Sequence, residues 1–165
     1  MESALDSWKE FNVAIAGAGA ALGGLLIVAL SVNIKQIAES RGLAARAGAA
    51  VAALILGVVL ACVALIPEQS LPAFGAEVLA GTLGCGVIAV LAARAILSDD
   101  SPGRIRTYDA GHILSFVLPL VVYAVGGVML VLGLPAGLMI VAVATIIALI
   151  AAVVFSWVAL VEILR

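Results

Sequence analysis

Three glycines near the start of the chain, Gly17, Gly19 and Gly23, have nearly the spacing of a dinucleotide-binding loop. Glu39 follows Gly19 by about twenty residues, near the position of the acidic ribose-binding residue in that motif. The motif requires a strand, a tight turn and a helix, followed by a second strand of a parallel sheet. Here the apolar run continues unbroken to Ile34. We therefore interpret the glycines as close-packing positions of a helix and expect no cofactor.

A second candidate for chemistry is the pair Asp109 and His112, near the start of a later apolar run. His112 is the only histidine, and residues three apart share one face of a helix. Because histidine changes its charge near neutral pH, the pair is a candidate proton sensor. The alternative is an interfacial histidine that forms hydrogen bonds with its neighbours.

Other reactive side chains are few and scattered. Cys62 and Cys85 lie within apolar runs, without the Cys/His spacing of a metal site. We predict buried free thiols, and a disulfide between the two is the alternative. The hydroxyls of Thr82, Tyr123 and Thr145 can bond a neighbouring carbonyl or another helix, but they are too few for an ion pathway. We expect no catalytic and no metal-binding residues, and we predict that the chain is not an enzyme.

The composition is typical of a membrane protein. Of the 165 residues, 65% are hydrophobic and only 11% are charged, against about 45–50% apolar and about 25% charged in soluble proteins. A soluble fold of this size could not bury so much apolar surface, because its surface is large relative to its volume. The eight Lys and Arg residues are scattered, so we expect the lipid bilayer as the surroundings and no nucleic-acid partner.

Five apolar runs predict an all-α membrane protein, a single transmembrane domain over residues 1–165 with a bundle of five transmembrane helices. The expected spans are 11–34, 43–66, 71–97, 110–132 and 138–163. Four of them easily reach the length of about 20 residues that crosses the hydrocarbon core. Glu77 makes the third span the weakest, but about 25 Å of helix separates it from Arg94, so the two charges can lie at opposite interfaces. The last two spans are expected to form an antiparallel hairpin, because their connection is short.

The basic residues predict the orientation. Only Lys9 lies on one side of the expected bundle, and all other basic residues lie on the opposite side: Lys35, Arg41, Arg46, Arg94, Arg104, Arg106 and Arg165. By the positive-inside rule this distribution puts the N-terminus outside and the C-terminus in the cytoplasm. At the cytoplasmic ends of their spans, Asn33 and Glu162 are expected to be solvated or to face lipid headgroups.

Small residues indicate where helices pack. The candidate packing residues are Ala16, Gly19, Ala20, Gly23 and Gly24 in the first span and Ala76, Ala80 and Gly84 in the third. Such residues let helix backbones approach closely, which matters in lipid because no hydrophobic force drives helices together. We expect packing within the bundle. An interface with other membrane subunits, or with a second copy of the chain, is a compatible alternative.

The N-terminal third of the chain contains Trp8-Lys9-Glu10-Phe11, followed by a small-residue-rich span that ends in Leu30-Ser31-Val32-Asn33. In this it resembles a group of small uncharacterised membrane proteins of actinobacteria, which have a Trp-x-x-Phe tail and a Leu-Ser-Ile-Asn-like end to the first span. The resemblance implies a multi-pass protein of the bacterial plasma membrane and no particular reaction.

Little mass lies outside the expected spans, and several helix faces suit close packing. We therefore predict a non-enzymatic accessory subunit that packs against a larger complex of the bacterial plasma membrane. The alternative is a homo-oligomeric channel or small transporter gated around Pro119 and His112, since a proline within a span is expected to kink it.

Overall fold

The computed structural model describes residues 4–97 and 106–161, with side chains for 4–35, 37–97 and 114–158. Within these ranges all regular structure is helical. After a short 3-10 helix at Asp6–Trp8 come α1 (Lys9–Val32), α2 (Ile34–Glu39), α3 (Arg41–Val63), α4 (Leu71–Leu97), α5 (Arg106–Val131) and α6 (Ala136–Val161).

Five of the helices, α1 and α3 to α6, are long and apolar enough to cross a membrane, which confirms the expected all-α fold with five such helices. Helix α4 has the bounds predicted for the third span, so Glu77 does not interrupt it. Helices α1 and α3 begin and end two or three residues earlier than the predicted apolar runs. Polar residues such as Lys9 and Arg41 thus extend a helix beyond its apolar part.

Helix α2 was not predicted from hydropathy. The chain leaves helical geometry at Asn33, with φ −107° and ψ 19°, and again at Ser40, with φ −116° and ψ 114°. The Ser40 hydroxyl then accepts a hydrogen bond of 3.2 Å from the backbone N–H of Leu43 and caps the start of α3. Because α2 packs against α3, the connection between the first two spans is itself part of the bundle.

Helix α3 lies at the centre of the bundle. It packs against α1, α4 and α6, and 50% of its apolar segment is buried. Around it, α4 packs against α5, α5 against α6, and α6 against α1. Within the described residues α1 and α4 do not contact each other, so these four helices surround α3 without closing a ring.

The core has two parts, one at each end of the bundle. At the end where the chain begins, here called the N-terminal end, the core includes Leu5, Phe74, Leu130 and Leu138. At the opposite end, the core includes Leu26, Ile37, Phe116 and Phe155. We call this opposite end the basic end, because four described basic residues lie near it: Lys35, Arg41, Arg46 and Arg94.

A glycine turn joins α5 to α6. Gly133 has φ +74°, in the left-handed region where other residues are strained. Its backbone N–H donates to the carbonyl of Leu130, and that of Leu134 donates to the carbonyl of Met129, both at 2.9 Å. This pair of bonds satisfies the last carbonyls of α5. The two helices pack along each other, as the hairpin prediction required.

Candidate functional site

Helix α1 turns a face of small residues away from the bundle. Gly17, Ala20, Ala21 and Gly24 are all exposed. A Cβ atom placed on Gly17 or Gly24 would meet no other atom within 4 Å. The backbone of α1 is therefore open to close approach along this side.

The exposed positions on this side of α1 have the spacing of a helix–helix contact. They alternate at intervals of four and three residues: Val13, Gly17, Ala20, Gly24, Ile27 and Ser31, here called the α1 outer face. Residues at this spacing remain in contact with a neighbouring helix when the axes of the two helices cross at about 20°. The Ser31 hydroxyl donates to the carbonyl of Ile27 at 2.8 Å, so this polar group is satisfied within the helix.

Helix α6 provides the contrast within the same molecule. Its exposed side carries large apolar residues: Met139, Val143, Ile146, Ile150, Val154 and Trp157. Large side chains keep neighbouring molecules away from the helix backbone, whereas small side chains allow a second helix to approach it closely. Between Gly17 and Gly24, the α1 outer face thus differs from this surface of α6, whereas Val13 and Ile27 toward its two ends are large and exposed.

The predicted packing residues divide between the inside and the outside of the bundle. Gly19 is buried, and a Cβ atom there would collide with the side chain of Val58. A Cβ atom on Gly23 would lie 3.6 Å from Leu54, so both glycines pack α1 against α3. Ala16 is half-buried, and the exposed members of the predicted set are Ala20, Gly24, Ala76, Ala80 and Gly84.

The closest backbone contacts involve glycines that the small-residue pattern did not indicate. A Cβ atom on Gly75 of α4 would lie 2.6 Å from the backbone nitrogen of Val131 in α5. One on Gly137 of α6 would lie 2.7 Å from the carbonyl oxygen of Gly126 in α5. Sequence contained a signal, because Gly126 and Gly137 flank the predicted hairpin turn. The spacing of glycines within one helix does not show which glycine of a neighbouring helix lies in contact with them.

The buried hydroxyls form hydrogen bonds of both predicted kinds. The Tyr123 hydroxyl, which is 0% exposed, donates to Thr145 Oγ1 of the neighbouring helix at 2.9 Å. Thr145 in turn donates to the carbonyl of Val141 at 2.9 Å. Thr82 and Ser156 each donate to the carbonyl four residues earlier, at 2.6 Å and 3.0 Å. These hydrogen bonds stabilise the bundle, and each of the four hydroxyls uses its proton in one of them.

The start of the chain covers the N-terminal end of the bundle. Leu5 is 4% exposed and belongs to the core there. The rings of Trp8 and Phe11 pack edge to face, with their centroids 5.6 Å apart. In the α3–α4 connection, the Gln69 amide donates a hydrogen bond to the Glu77 carboxylate. Glu77 is exposed at this end, as its predicted interfacial position required.

Asn33, at the basic end, corrects a prediction. It was expected to be solvated or to face headgroups, but it is 0% exposed, and its amide donates to the carbonyl of Ala29 at 3.2 Å. The physical reason is the break between α1 and α2: the chain turns at Asn33 and α2 packs against α3, so this connection belongs to the bundle and does not extend into the headgroup region. Arg94 is exposed as expected, and Glu162 lies outside the described residues.

Both cysteines are free, as predicted. Cys85 is half-buried and its thiol lies 3.6 Å from the carbonyl oxygen of Ala52. Cys62, however, is exposed on α3, so the prediction of a buried thiol was wrong there. In a membrane helix an apolar run has both a lipid-facing and an inward side, and hydropathy does not distinguish the two.

The candidate polar site is described only in part. Asp109 and His112 belong to α5, but their side chains lie outside the described residues. Pro119 lies within the same helix and is buried. Within the described ranges, no three His, Cys, Asp or Glu side chains come together as a metal site would require. The segment 13–23, with its dinucleotide-like glycines, lies wholly within α1.

Comparison with protein-family models, curated proteins and solved structures finds no match for the chain. The surfaces of the bundle are therefore the basis for inferring a function.

Proposed function

We propose that this chain is a non-enzymatic subunit of the bacterial plasma membrane that packs against the helices of a larger membrane complex. The observation that carries the proposal is the α1 outer face. Gly17, Ala20 and Gly24 are exposed there, and both glycines have open space where a side chain would stand.

Two helices associate in lipid for other reasons than in water. Apolar surface alone does not drive two helices together in a bilayer, so close backbone packing and its dispersion contacts must stabilise the complex. Glycine and alanine permit that approach and lose little side-chain entropy on binding. A partner helix fits the α1 outer face better than the exposed side of α6, where Ile146 and Ile150 project.

The proposed orientation is N-terminus outside and C-terminus in the cytoplasm. Of the basic residues with described side chains, Lys9 lies at the N-terminal end, and Lys35, Arg41, Arg46 and Arg94 lie at the basic end. Positive charge near the ends of spans is retained on the cytoplasmic side. The basic end is accordingly the cytoplasmic one.

Mild-detergent purification from the native host, with identification of co-purifying proteins, tests the proposal. We expect a second membrane protein in fixed stoichiometry with the wild type, and its loss from Gly24→Leu. Gly48→Leu is the matched control, because Gly48 is also an exposed helical glycine, and a Cβ atom placed on it would meet no other atom within 4 Å. The control should keep the partner.

A chain that migrates alone would overturn the proposal, as would equal behaviour of the two variants. A stable assembly of this chain only would favour the homo-oligomeric channel or transporter instead. Ion flux in liposomes that is lost on His112→Ala would then support gating by that residue.

A further inference from the structure

A groove runs along the outside of the bundle between α4 and α5, with a volume of about 950 Å³. Its floor is half-buried and made largely of small residues, including Gly86, Ala89, Ala93 and Ala124. Large apolar residues form its exposed rim, among them Leu83, Val90 and Val121. Ligand-binding clefts in proteins measure about 300–1,000 Å³, so the groove is large enough for a ligand chain.

The packing of the two helices explains where the groove lies. Near the N-terminal end, Gly75 and Gly127 bring α4 and α5 into contact, and a Cβ atom on Gly127 would lie 2.9 Å from Leu79. The groove begins at Leu79 and continues toward the basic end. A Cβ atom on Gly86, in its floor, would meet nothing within 4 Å. The space is therefore not filled by the described side chains.

The groove runs along the helices and is longer than the hydrocarbon of one leaflet of a bilayer. From Leu79 to Arg94, α4 rises by about 22 Å. The hydrocarbon of one leaflet is about 15 Å thick. The groove thus extends from the interface at the basic end past the middle of the membrane, and its part next to Arg94 is long enough for an acyl chain of the leaflet at that end.

Among the described residues that line this groove, Arg94 is the charged one, and it is exposed in the last turn of α4. A guanidinium group binds phosphate oxygens with two parallel hydrogen bonds, and a long side chain near a helix end reaches the headgroup region. The occupant must therefore be apolar over the length of the groove and negatively charged at one end.

We propose that the α4–α5 groove binds an anionic phospholipid of the leaflet at the basic end. One acyl chain lies along Gly86 and Ala93, and Arg94 binds the phosphate. This surface is separate from the α1 outer face, so the inference does not depend on the proposed subunit role. Anionic lipid is the expected choice because basic residues at this end attract it.

Native mass spectrometry of the detergent-purified full chain, titrated with phosphatidylglycerol or phosphatidylcholine, tests the proposal. The wild type should bind phosphatidylglycerol more tightly. Arg94→Gln should weaken phosphatidylglycerol binding by about fivefold, the effect of one interfacial positive charge. Arg41→Gln is the charge-matched control, because Arg41 is exposed at the same end but does not line the groove. Equal effects of the two substitutions would overturn the proposal.

A second pair of variants tests the groove itself. Gly86→Leu should fill it and lower the binding of both lipids. Gly84→Leu should not, because Gly84 is an open helical glycine of α4 outside the groove lining. Unchanged lipid binding in Gly86→Leu would refute the proposal. Loss of a co-purifying protein with lipid binding retained would identify a partner helix as the occupant and refute it equally.

Discussion

The contact between α4 and α5 at Gly75 offers a direct test of the packing argument. In Gly75→Ala, the new Cβ atom would lie 2.6 Å from the backbone nitrogen of Val131, 2.8 Å from Leu130 Cβ and 2.9 Å from the carbonyl oxygen of Gly127. Two of these atoms are backbone, so rotation of a side chain cannot relieve the contacts. Helices α4 and α5 would have to move apart at Gly75, and the close contacts between them at that point would be lost.

The magnitude follows from comparison with Gly84→Ala in the same helix. A Cβ atom on Gly84 would meet nothing within 4 Å. Both substitutions remove a helical glycine, so the gain in helix propensity, about 0.5–1 kcal/mol, cancels in the difference between them. What remains is the overpacking term, about 1–3 kcal/mol. The unfolding equilibrium constant of Gly75→Ala should therefore exceed that of Gly84→Ala by about 5-fold to about 150-fold.

The measurement is the free energy of unfolding in mixed detergent micelles, with sodium dodecyl sulfate as the denaturant and helicity followed by circular dichroism. Gly84→Ala should equal or exceed the wild type in stability, and Gly75→Ala should unfold at a lower denaturant fraction. If the two variants agree within about 0.5 kcal/mol, close approach at Gly75 does not stabilise the bundle, and the reasoning from glycine contacts fails.

Three further predictions test other parts of the fold. A double-mutant cycle with Tyr123→Phe and Thr145→Val should give a coupling free energy of about 0.6 kcal/mol in the same unfolding assay; zero coupling would contradict the hydrogen bond between their hydroxyls. Ser40→Ala should lower the free energy of unfolding by about 1 kcal/mol through loss of the N-cap of α3, and an unchanged stability would refute the capping role. With both native cysteines replaced by alanine, an impermeant maleimide added to intact cells should label Ser7→Cys but not Lys35→Cys, and the reverse pattern would invert the proposed orientation.

Much of the fold could be predicted from the sequence, because the properties concerned are local. A helix that crosses lipid must satisfy its own backbone hydrogen bonds, so a long apolar run is sufficient to predict it. Helix α4 has the predicted bounds, and the short connection around Gly133 correctly predicted the α5–α6 hairpin. Even the exposure of Glu77 and Arg94 followed from distance along a single helix.

The tertiary structure decided what depends on how two helices face each other. The sequence identified Gly19 and Gly24 alike as packing residues, yet the first contacts Val58 inside the bundle and the second is open on its outer face. It did not predict that Asn33 would be buried or that a groove would end at Arg94. The physical reason is that hydropathy and spacing describe one helix at a time, whereas burial depends on the rotation of each helix about its axis. That rotation is set by the close contacts between helices, such as those of Gly75 with α5 and of Gly137 with Gly126.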